Sequence, residues 1–124
     1  MNLEGISKMK LKLTPPQIAW LKRVLTKRIE LRNKRDKQKT AIKELTKIVD
    51  NLSKITGDTL TISRAGARLV EDACLGHIHY IESIALPALA ERLKKDEGYS
   101  TTIAKFTIIK GEVIKLLKEV QGGL

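Results

Sequence analysis

Between Pro16 and Gly57 the chain contains neither glycine nor proline, and Leu, Lys, Arg, Glu and Gln, all strong helix formers, dominate the interval. An uninterrupted stretch of this length dictates one long helix or two successive ones. Ile18, Leu21, Val24, Leu25 and Ile29 make one apolar face. Ile42, Leu45, Ile48, Val49, Leu52 and Ile55 make another, rotated by roughly 130° at 100° per residue. Coiled-coil drift, about 20° per heptad, is too small to explain that rotation. The stripe therefore changes phase near Asn33 to Thr40. Either the chain turns or kinks there, or a rod of about 60 Å packs its two halves on different partners. A rod would be roughly twice as long as a compact domain of this size is wide.

The rest of the sequence also favours helices. Aromatic residues are 3% of the chain, so the core has to be aliphatic. Lys8–Leu13 alternates lysine with Met9, Leu11 and Leu13, the period of a short strand. Thr14 followed by Pro15 and Pro16 then marks a helix start. Gly57 and Asp58 break the pattern, and Thr61 or Ser63 can cap a helix running to about Lys95 that should kink at Pro87. Its apolar face is expected at Gly66, Leu69, Val70, Ala73, Ile81, Ile84 and Ala88. Ser100 is expected to cap a last amphipathic helix that ends at Gly122 and Gly123. The expected fold is all-α, a three- to four-helix bundle or an elongated helical hairpin. An extended arm over residues 1–14 precedes a single helical domain over 15–124, with helices at about 15–33, 40–56, 62–95 and 100–121.

Charge is placed unevenly on this frame. Nine basic residues fall between Lys22 and Lys39, namely Lys22, Arg23, Lys27, Arg28, Arg32, Lys34, Arg35, Lys37 and Lys39. Only Glu30 and Asp36 oppose them, so +7 of the net +10 lies in this segment. Arg28, Arg32, Arg35 and Lys39 share one helix side, at the angle that Leu21 and Val24 occupy earlier. These nine residues are the candidate anion-binding site. No aromatic residue interrupts the segment, which disfavours a stacking platform for single strands and makes duplex nucleic acid the first candidate partner. Another polyanion, an acidic protein, a phosphorylated ligand or further copies of the chain are the alternatives, in the manner of a small accessory, assembly or inhibitor protein of the viral type.

The alternating arm followed by a helix resembles the opening of a ribbon-helix-helix DNA-binding domain, in which strands from two subunits pair. The glycine-containing turn of that family is missing after the first helix, which is also too long, and none of its functional residues carries over. His77 and His79, two apart on a helix, point about 200° from each other and cannot share a metal. Cys74 and His77 supply at most half of a zinc site, so no metal or cofactor is expected. His77 is expected as a core histidine hydrogen-bonded to a neighbouring helix, with pH-sensitive packing as the alternative. Arg68 and Asp72 are expected to pair at i and i+4. Asp72, His79 and Glu82 could in principle form an acid–base set, but no phosphate loop or nucleophile motif accompanies them, and a non-enzymatic protein is expected. A single cysteine, no leader-like opening and no long apolar run point to a cytoplasmic protein that does not enter membranes.

Overall fold

The structure, a computed structural model, describes residues 8–35 and 39–124; the side chains of residues 33–35 and 39–40 lie outside the described set. Its elements are β1 (Lys8–Lys12), α1 (Pro15–Arg35), α2 (Lys39–Lys54), β2 (Thr59–Ser63), α3 (Arg64–Tyr80), a π-turn (Ile81–Ala85), α4 (Leu86–Leu93) and α5 (Tyr99–Gly123). The molecule is a helical bundle carrying one two-stranded sheet.

The long interval without glycine or proline is two helices that fold back on each other, not a rod. The change of apolar phase marks where one helix hands over to the next. α1 buries Leu21 and Leu25, and α2 buries Leu45, Ile48 and Leu52, in the same core. At the start of α1, the Gln17 amide donates to Thr14 Oγ1 (3.3 Å) and the Thr14 amide donates to Gln17 Oε1 (2.9 Å). This reciprocal pair satisfies two amides at the helix end. Gln17 Nε2 also donates to the Glu112 carbonyl (3.2 Å), tying the start of α1 to α5.

The basic arm finds a partner strand within its own chain. β1 pairs antiparallel with β2 of the same chain, Met9 opposite Ile62 and Leu11 opposite Leu60. Residues 59–61, given no element by the sequence, and Ile62 and Ser63, expected in a helix, are strand. Leu11, Leu60 and Ile62 face the core while Lys10, Lys12, Thr59 and Thr61 face out. Ser63 ends the strand and caps α3, its Oγ accepting from the Gly66 amide (3.0 Å) and donating to Glu44 Oε2 of α2 (3.1 Å). A Cβ on Gly66 would lie 3.1 Å from Ile48 Cδ1, so glycine here lets α2 and α3 approach.

Pro87 disturbs the third helix through a π-turn one step upstream. With no amide hydrogen on Pro87 to close an ordinary turn, the Leu86 amide donates to the Ile81 carbonyl, five residues back. The added residue rotates the helical face downstream of it. Ala85 and Leu89 therefore take the buried positions expected of Ile84 and Ala88, and Ile84 is 56% exposed. Gly98, without a side-chain cap bond, occupies the α5 cap position expected of Ser100. Val113, Leu116 and Val120 close the core from α5.

Candidate anion-binding groove

α1 lines a groove of about 1780 Å³ with residues on two sides of the helix, Arg23, Val24, Lys27 and Leu31 on the side of Trp20 and Ile18, Ala19, Lys22 and Thr26 on the other. α3 supplies the opposite wall with Ala73, Gly76, His77 and Tyr80, and Leu52 of α2 contributes to the lining. The α3 wall is cut low where the side chains are small. There the Arg28 guanidinium crosses from α1, its Nη1 2.8 Å from Asp72 Oδ2, and a Cβ on Gly76 would lie only 2.9 Å from Nη2.

Five of the nine basic residues singled out in the sequence meet at this groove: Lys22, Arg23, Lys27, Arg28 and Arg32. Lys22, Arg23 and Lys27 are exposed, whereas Arg28 and Arg32 are half-buried. Glu30 is the sole carboxylate among the described lining residues. The side chains of Lys34, Arg35, Lys37 and Lys39 lie outside the described residues. Arg28 is already held by Asp72, the residue expected to pair with Arg68 on its own helix. An exposed i,i+4 pair is weak, and the interhelical arginine reaches the same carboxylate in better geometry.

Sequence periodicity missed the apolar half of the site. Leu31 and Tyr80 line the groove and are 50% and 44% exposed. Their exposure on otherwise amphipathic helices was the available clue, but only the fold puts Tyr80 opposite the cations.

His77 is half-buried against aromatic rings instead of being hydrogen-bonded in the core. Its centroid lies 5.2 Å from that of Trp20 at 66° and 6.1 Å from that of Tyr80. Among the described residues its ring has no hydrogen-bond partner, and neither has the buried Trp20 Nε1. Burial, then the charge of Arg23, lowers the His77 pKa below 6.5, so the neutral ring is favoured. A depressed folded-state pKa means that its stability contribution is complete above 6.5 and is lost as pH falls through the lower folded value. His77→Phe, which keeps an aromatic ring but cannot titrate, is expected to flatten the acid side of the melting-temperature profile. An unchanged slope in thermal unfolding between pH 7 and about pH 5 would exclude this role.

The possible acid–base set is dispersed among other partners. Asp72 pairs with Arg28, Glu82 with Lys110 at 3.0 Å, and the His79 ring lies 3.4 Å from Ser83 Oγ. Cys74 is fully buried, and that burial pushes its thiol up to about 12. Among the described residues no three His, Cys, Asp or Glu side chains are grouped to hold a metal, and no helix is long and apolar enough to cross a membrane. No family model, curated protein or solved structure matches the chain, which leaves the groove's own chemistry as the guide to function.

Proposed function

We propose that the protein is a non-enzymatic binding module that takes an anionic partner at the groove between α1 and α3. The observation that carries this is the convergence of Lys22, Arg23, Lys27, Arg28 and Arg32 around an otherwise mainly apolar lining, opposed among the described residues by Glu30 and by Asp72 on Arg28. Exposed Lys22, Arg23 and Lys27 would steer an anion at long range, and salt would screen them. Arg28, fixed by Asp72, adds a positioned charge at the wall. A nucleic-acid duplex could use these cations through its phosphates. It would leave Val24 and Leu31 without a role, so the groove favours a partner that offers apolar surface as well as negative charge.

The test compares the wild type with Lys22→Glu/Lys27→Glu. Both positions are exposed, so the fold should survive, as circular dichroism can verify. Polarisation assays with a labelled DNA duplex and labelled acidic polypeptides should show salt-sensitive binding that the double variant weakens by about tenfold or more, since each reversed charge removes one attraction and adds one repulsion. Equal binding by both proteins, or no salt-sensitive binding of any anionic probe, overturns the proposal.

A further inference from the structure

We infer that the partner is an acidic amphipathic α-helix of another protein, lying lengthwise in the groove. The inference rests on the anion-binding role proposed above and adds the partner's class. Size is the first ground. On the side of α1 that faces Tyr80 the lining runs from Arg23 to Leu31, a helical rise of about 12 Å, which matches a guest of about two turns. A groove of about 1780 Å³ also exceeds the ~300–1000 Å³ of ordinary small-molecule sites.

Charge complementarity is the second ground. A guest helix has an apolar stripe about 100° wide flanked by polar faces. The stripe would rest on Val24, Leu31 and Tyr80, while carboxylates on its flank would meet Arg23 and Lys27, which share that side of α1. This is the helix-in-groove mode of recognition with a charged rim that selects acidic guests. A second copy of this chain is the poorer occupant, because it carries +10 and would bring like charge to a basic rim.

Three probes separate the possibilities: a synthetic peptide with leucines at i, i+3, i+4 and i+7 among glutamates, a peptide of the same composition scrambled to destroy the stripe, and a DNA duplex. Binding is followed by fluorescence of Trp20, the chain's single tryptophan, which touches the groove residue His77. The patterned peptide is expected to gain helix on binding, and the scrambled one to bind about tenfold more weakly or worse. Leu31→Asn and Tyr80→Ser, at exposed positions, should weaken the patterned peptide severalfold without altering duplex binding. Ile108→Asn, 67% exposed and outside the groove lining, should alter neither.

Equal binding of the two peptides, or a stronger response to the duplex, would overturn the helix inference while leaving an anion-binding protein. So would Ile108→Asn weakening the patterned peptide as much as Leu31→Asn. No salt-sensitive binding of any probe would overturn both proposals.

Discussion

Replacing Leu11 by alanine is expected to lower the free energy of unfolding by about 2–5 kcal/mol, whereas the same change at its neighbour Lys10 should stay within about 0.5 kcal/mol. Leu11 is fully buried, faces Leu60 across the two-stranded sheet and belongs to the main core with residues from all the long helices. A two-stranded sheet on its own is at best marginally stable in water, so this one depends on the seating of its inner face against α3 and α5. Lys10 is on the same strand but the opposite face, and truncating it opens no cavity. Urea unfolding followed by circular dichroism measures both. If Leu11→Ala matches Lys10→Ala, β1 is an attached arm and not part of the core.

That contrast also shows how far local pattern reaches. The alternation of Lys8–Leu13 was legible because a half-buried strand repeats every two residues. Its partner was less visible: Thr59–Ser63 alternates over a short span beside a strong helical segment, and pairing between residues so far apart leaves little local trace. The capping of α1 was half legible. Thr14 announced the helix, but the reciprocal role of Gln17 depends on a side chain three residues later and on α5 beyond it. The π-turn could not be placed by a 100° period because it changes that period. Pro87 gave notice of a disturbance, while the way the chain absorbed it set which of Ile84 and Ala85 became buried.

The groove divides in the same way. Its cations are contiguous in sequence, so charge counting found Lys22 to Arg32. Much of its apolar wall comes from α3 and α2, about 20 to 60 residues away along the chain, and no local periodicity relates Tyr80 or Ala73 to Arg23. Gly76 illustrates the limit. In the sequence it is one more small residue on a helix, and its consequence, an arginine from α1 lying over it, exists only once α1 and α3 face one another.

Cys74 offers a large and independent test of this packing. Alkylation requires the thiolate, and raising the thiol from 9.0 to about 12 lowers the thiolate population near neutral pH by about a thousandfold. Burial is the main cause; nearby Arg28 opposes it and Glu71 adds to it. With the side chain fully buried as well, iodoacetamide should label the native protein at least a thousandfold more slowly than the urea-unfolded chain, most of the labelling passing through transient opening. Labelling at the unfolded rate under native conditions would show that the α3 core face is open. The pH effect has a definite sign. Because the folded pKa is raised, the contribution to stability is complete below 9.0 and declines as pH rises toward about 12. Cys74→Ala should therefore soften the alkaline loss of stability. Cys74 also adjoins Ala73 in the groove wall, so a guest that binds only the folded protein should slow labelling further, by one plus the ratio of its free concentration to its Kd. The patterned acidic peptide is expected to give this protection, linking occupancy of the groove to the opening of the core behind it.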